Sequence, residues 1–228
     1  MAEHAKTFCL MWLCLIISPA YPKDAENVNV RPLLVIDTFS SCVSRTNGLP
    51  CGWHASRKET KMFSIRSVNE NVYLQVRSDG DATSIARRLR FTPDEYPVLR
   101  WKWRIWKLPE GAREDVKKGG DSVAGVYVIF AGKLYMNRIL KYVWSSSLSP
   151  GTNTQSPYNS RTKIIVLRSG NNSMGVWISE KVDISRDFRK LFGTEPPVVE
   201  AVGLMSDSDN TKSSAWADYD DLIAEASQ

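Results

Sequence analysis

Residues 97–106, PVLRWKWRIW, alternate apolar and polar side chains. Leu99, Trp101, Trp103 and Ile105 fall on one face, and Arg100, Lys102, Arg104 and Trp106 on the other. A period of two predicts a β-strand with one buried face. Residues 61–67 and 71–78 alternate too, with Asn69 to Asn71 between them, which predicts a hairpin. Apolar runs at 33–39, 85–91, 123–130, 139–144, 162–169, 175–182, 198–206 and 215–225 predict further strands. Turn signals separate them, among them 78-SDGD, 109-PEGA, 119-GGD, 149-SPGTNTQSPYN and 169-SGNN.

One stretch breaks the period. In 183-DISRDFRKLFG, Phe188, Leu191 and Phe192 recur at helical spacing. Asp183 or Ser185 supplies an N-cap, and Gly193 a stop. Pro196 and Pro197 prevent continuation. Many short strands and one short helix predict an all-β fold: a two-sheet antiparallel β-sandwich of jelly-roll type. No repeat or linker marks a second domain, so 26–228 reads as a single domain.

The ends change the picture of compartment. Lys6 precedes the apolar run 8–20, and small residues follow. This is the layout of a signal peptide, residues 1–20, with cleavage after Ala20 or as late as Ala25. The run is too short for a bilayer span of about 20 residues, and no later run is long enough. The expected location is periplasmic or secreted, with no integral membrane span after cleavage. Cleavage removes Cys9 and Cys14 and leaves Cys42 and Cys51 to pair in an oxidising compartment. The net charge of +5 is mild, and acids are mixed throughout. No basic block with interleaved aromatics points to nucleic acid.

The pieces 49-LPCGW, 97-PVLRWKWRI, 121-DSVAGVYVIF, 142-YVWS, 175-GVWISEKVDISRDFRKLFG, 202-VGLMSDSDNT and 218-DYDDL run in order along the chain. In them the chain resembles the domain-of-unknown-function 3047 family of bacterial exported proteins, a family without an assigned activity. A looser similarity is to jelly-roll carbohydrate-binding and galactose-binding-like domains. It rests on 36-IDTF, 52-GW and 220-DD. Such folds often hold a structural calcium between the first and last strands, which places Asp37, Asp220 and Asp221 in that neighbourhood.

The acidic stretch 206-SDSDNTKSSAWADYDDL-222 carries the remaining chemistry. It is not an EF-hand. Lys212 stands where that loop needs glycine, and Asp218 where it needs a bidentate glutamate. It reads as a hairpin: 198–206 up, 207–214 turning, 215–224 down. On the last strand Trp216, Asp218, Asp220 and Leu222 share one face, and Ala217, Tyr219, Asp221 and Ile223 the other. Four readings of the acids stay open: a solvated strand end, a calcium site, an aromatic-plus-acid sugar site, and catalysis.

Catalytic signatures are sparse. His54 is the only histidine beyond the signal segment. No G-x-S-x-G, H-E-x-x-H, P-loop or dinucleotide glycine pattern occurs. Tryptophan is abundant, eight in 228 residues, and aromatic faces stack on sugar rings. Trp101 and Trp103 belong to the core face. Trp106 lies on the basic face, and the polar loop 149–161 brings Tyr158 and Arg161. The expected function is binding of a saccharide or envelope glycan without catalysis. The ligand residues would be Lys102, Arg104, Trp106, Tyr158, Trp216 and Tyr219. The alternatives are a polysaccharide hydrolase or lyase using paired acids, and a structural envelope protein.

Overall fold

A computed structural model describes residues 32–44, 48–57 and 59–227. The expected signal segment lies outside them. The strands belong to one compact unit, Arg31–Gln228, and form two packed sheets.

The first sheet holds β1 (Leu33–Asp37), β3 (Phe63–Val68), β4 (Asn71–Asp79), β6 (Val98–Lys107), β11 (Ile178–Asp183) and β13 (Ser214–Glu225). Their order is β11-β6-β13-β4-β3, and β1 pairs with the far half of β13. The second sheet runs β2-β5-β12-β7-β8-β10-β9. Its strands are β2 (Trp53–Ala55), β5 (Ala82–Phe91), β7 (Ala124–Phe130), β8 (Arg138–Ser145), β9 (Asn153–Gln155), β10 (Thr162–Ser169) and β12 (Val199–Asp207). The expected sandwich is present, with one α-helix among the described residues.

The alternation of β6 decides what lies between the sheets. Leu99, Trp101, Trp103 and Ile105 all point inward and are fully buried. Trp101 and Trp103 meet Tyr142 and Trp144 of the opposite sheet at 5.7 and 5.8 Å between ring centres. The hairpin β3–β4 also forms as expected. Asn69 and Glu70, both with positive φ, make its two-residue turn.

Helix α1 (Ile184–Phe192) is capped as its sequence requires. The Asp183 carboxylate accepts the Arg186 amide at 2.8 Å, and Gly193 takes φ 68° at the stop. Phe188 reaches Phe130 at 4.5 Å, so the helix closes one end of the core.

Three features differ from the alternation reading. β8 and β10 run parallel. Parallel neighbours need a long crossover, and the polar loop 146–161 with β9 is that connection. Second, β12 and β13 do not form a hairpin. β12 pairs with β5 and β7, and β13 with β4 and β6 in the other sheet. The pair β4·β13 therefore turns over the edge of the sandwich into the pair β5·β12, as in a jelly roll. Asp121 holds the turn, accepting the amides of Asn210 at 3.1 Å and Thr211 at 2.8 Å.

Third, β13 carries a bulge. Asp220 pairs with Lys102 and Ile223 with Arg100, so β13 has one residue more than β6 across that interval. Asp221 is the extra residue, with φ 50°. Beyond it the faces are exchanged relative to strict alternation. Leu222 enters the core, and Ile223 turns to the outer face beside Arg100.

Candidate functional site

The outer face of the second sheet carries a charged pocket that no single stretch of sequence displays. β7 and β8 are neighbours, and their register sets Tyr127 directly opposite Lys141. β12, on the other side of β7, contributes Met205 and Asp207. Gly125 makes the space. A Cβ there would lie 3.2 Å from the Tyr127 ring and 3.3 Å from Cε of Lys141.

Lys141 is 7% exposed. Its ammonium donates to Ser122 Oγ at 2.9 Å and lies 5.4 Å from the centre of the Tyr127 ring. Asp207 is held by the Ser122 amide at 2.7 Å. Glu114 comes from the 109–120 turn. Its Oε2 accepts Ser145 Oγ at 2.6 Å, while its Oε1 is buried without a hydrogen-bond partner. Tyr158 leans in from the β8–β10 crossover. Its hydroxyl donates to the Lys117 carbonyl and meets Asn210 Oδ1 at 2.8 Å. With Arg57 these side chains line a cavity of about 320 Å³, at the small end of ligand sites.

Burial sets the electrostatics. It pushes the Asp207 carboxyl up to about 6, although Lys141 pulls the other way. It also raises Glu114 and the Tyr127 hydroxyl. For Lys141 burial opposes the charge, yet Tyr127, Asp207 and Glu114 around it hold its pKa above the ordinary value. The pocket thus offers a fixed cation, two acids that retain protons easily, and two tyrosine rings. Such a set both donates to and accepts from hydroxyl groups.

The residues expected from the sequence lie elsewhere, except Tyr158. On the outer face of the first sheet, three basic residues of β6 each meet an acid of β13. Arg100 meets Glu225 at 3.2 Å, Lys102 meets Asp221 at 2.8 Å, and Arg104 meets Asp218 at 2.7 Å. Asp218 also accepts Trp106 Nε1 at 2.7 Å and Gln75 Nε2 at 3.3 Å. The guanidinium of Arg104 lies against Trp106, Trp177 and Tyr73. Trp106 meets Trp216 at 5.4 Å, and Arg77 covers Trp216 at 3.8 Å. These ring faces are filled by one another, although the Trp106 edge stays 36% exposed.

Tyr219 is a core residue. It points between the sheets, fully buried, where its hydroxyl donates to the Met205 carbonyl at 2.8 Å and accepts the Gly125 amide at 3.0 Å. Asp37 does not join Asp220 and Asp221. Its Oδ2 accepts Trp53 Nε1 at 2.6 Å and Arg87 Nη1 at 2.7 Å, and its Oδ1 accepts the Phe39 amide at 2.7 Å. Asp221 is taken by Lys102. Among the described residues no three His, Cys, Asp or Glu side chains are grouped to hold a metal ion. Cys42 and Cys51 form the expected disulfide.

Lys141 and Glu114 escaped the sequence reading, while Asp207 was read only as part of the acidic turn. Lys141 had one signal, a lone charge inside the apolar run 139–144 of a central strand. Glu114 sits in a turn and had none.

No curated protein matches the sequence. Among solved structures, the Emp47p carbohydrate recognition domain superposes with a TM-score of 0.46 at 10% identity, over 84% of this chain and 93% of that one. TmCBM61 in complex with β-1,4-galactotriose gives 0.36 at 8% identity, over 76% and 88%. The family 11 xylanase from Neocallimastix patriciarum gives 0.35 at 10% identity, over 80% and 94%. The family model described as "Protein of unknown function (DUF3047)" matches residues 52–223, from the start of β2 to near the end of β13.

Proposed function

We propose, for a chain that belongs to the DUF3047 family of unknown function, that it is an exported protein binding a saccharide in the pocket around Lys141. One observation carries the reading: a buried ammonium and a buried, unpartnered carboxylate oxygen of Glu114 line the same cavity as Tyr127 and Tyr158. An orphaned buried acceptor costs about 1–3 kcal/mol unless something donates to it. A sugar hydroxyl can do so while a neighbouring hydroxyl accepts from Lys141. The Cys42–Cys51 disulfide supports an oxidising compartment and hence export.

The test is calorimetric titration with neutral and acidic oligosaccharides after a glycan-array screen. The wild type should bind at least one of them. Lys141→Met should weaken that binding about 10- to 100-fold, the usual worth of a charge-assisted hydrogen bond. Lys102→Ala, on the opposite face, should leave it unchanged. Failure of every saccharide to bind, or full binding by Lys141→Met, would overturn the proposal. The same mixtures, analysed for shortened products, address the second reading. Glu114 and Asp207 are acids with raised pKa in one pocket, the property a glycosidase uses for its proton donor. Product formation lost in Asp207→Asn would move the assignment to a hydrolase or lyase.

A further inference from the structure

On the first sheet Arg100, Lys102, Arg104 and Lys181 each meet an acid of the same surface. Two arginines of the second sheet do not. Arg88 and Arg90 are exposed on β5, and among the described residues neither makes an ion pair. Together with His54, Ser84 and Asn137 they line a cavity of about 740 Å³. The acid in that lining, Glu200, accepts Asn137 Nδ2 at 3.4 Å.

This cavity lies on the same face as the Lys141 pocket. Successive outward residues lead from one to the other: Met205, Gly203 and Ala201 on β12, and Tyr127 then Ile129 on β7. On β5, Ala82 lines the Lys141 pocket and Ser84, Ala86 and Arg88 line the second cavity. The floor between them is small. Ala86 and Ala201 flank Gly203, where a Cβ would lie 3.2 Å from the Ile85 carbonyl oxygen and 3.5 Å from Tyr127 Cβ. The four residue steps from Met205 to Ala201 span about 13 Å. One extended ligand can lie along that floor with its ends in both cavities.

We infer that the ligand is an acidic oligosaccharide, with hydroxyls in the Lys141 pocket and an anionic substituent between Arg88 and Arg90. This rests on the saccharide reading of that pocket. Guanidinium groups match the planar, two-oxygen face of carboxylate, sulfate or phosphate esters.

The experiment compares charged and neutral forms of one chain. An oligogalacturonate and its methyl ester probe the carboxylate; a sulfated galactan oligosaccharide and its desulfated form probe the sulfate. The charged member of one pair should bind at least about tenfold tighter. That preference should shrink at about 1 M salt, where the screening length falls to about 3 Å. Arg88→Ala with Arg90→Ala should cancel the preference and leave the neutral member's affinity intact. Lys141→Met should weaken both members alike. Equal binding of charged and neutral forms, or a preference that survives the double substitution, overturns this inference and leaves the saccharide reading standing. If neither pair binds, this inference falls, and the saccharide reading stands or falls on the full array. Both arginines are exposed, so their loss leaves the core untouched.

Discussion

Arg104 and Lys141 are both cations on outer sheet faces, and their surroundings make them opposites. Arg104 is held by both Asp218 bonds and lies against three aromatic rings. Lys141 bonds the Ser122 hydroxyl and faces a cavity. From the sequence, Arg104 looked like the ligand residue because its strand alternates clearly. What alternation cannot show is the partner across the sheet. Trp101 and Trp103 were legible as core for the same reason that Arg104 was misleading: period two fixes the face, not what waits there. The consequence is testable at Asp218. It is fully buried, and Asp218→Asn leaves the Arg104 guanidinium without its counter-charge. Breaking a buried pair from one side costs about 3–5 kcal/mol. Urea unfolding should show a loss of that order, with saccharide affinity unchanged in the folded fraction. A loss under about 1 kcal/mol would mean that Arg104 re-solvates freely.

At the scale of the element, β13 shows how one inserted residue redirects chemistry. Without the bulge, Asp220 and Asp221 would point to opposite faces. With it, Asp221 loops outward to Lys102 while Asp220 stays buried beside it. Burial, and then the neighbouring Asp221 charge, push Asp220 up from 3.8 to about 6. No sequence signal marked the bulge, because Asp at positive φ needs no glycine. Between pH 3.8 and about 6 the native state holds a proton that the unfolded chain releases. Stability contributed by the neutral form is therefore lost as pH rises through that window, and the loss is complete above it. Asp220→Asn stays neutral throughout. Its melting midpoint, measured relative to wild type, should climb between about pH 4 and 6 and level off above. A difference that stays flat across the window would refute the assignment.

The whole molecule is a chain that changes sheets repeatedly, and that is the part least legible in the sequence. Every expected strand exists, because local alternation and turn residues suffice for strands. Sheet membership is non-local: β12 and β13 follow one another through a short turn yet pair with β5 and β4, far earlier in the chain. The pocket inherits this, since Glu114, Tyr127, Lys141, Tyr158 and Asp207 meet only after the sheets are assembled. The first crossing is the one that carries a covalent clamp. β1 belongs to one sheet and β2 to the other, and the Cys42–Cys51 disulfide closes the loop between them at a sequence separation of nine. Just beyond it, Trp53 and Arg87 of the second sheet bond Asp37 of the first. Closing a loop of that length restricts the unfolded chain by about 2–3 kcal/mol in the entropy model. Cys42→Ala with Cys51→Ala should lower the unfolding free energy by that amount, and dithiothreitol should lower the wild type equally. Because the clamp acts at the end of β1, hydrogen exchange should quicken first at the β1–β13 pairing, while the β7–β8 pairing that carries Lys141 keeps its protection. Equal stability with and without the bond would show that the Asp37 cluster holds the crossing unaided.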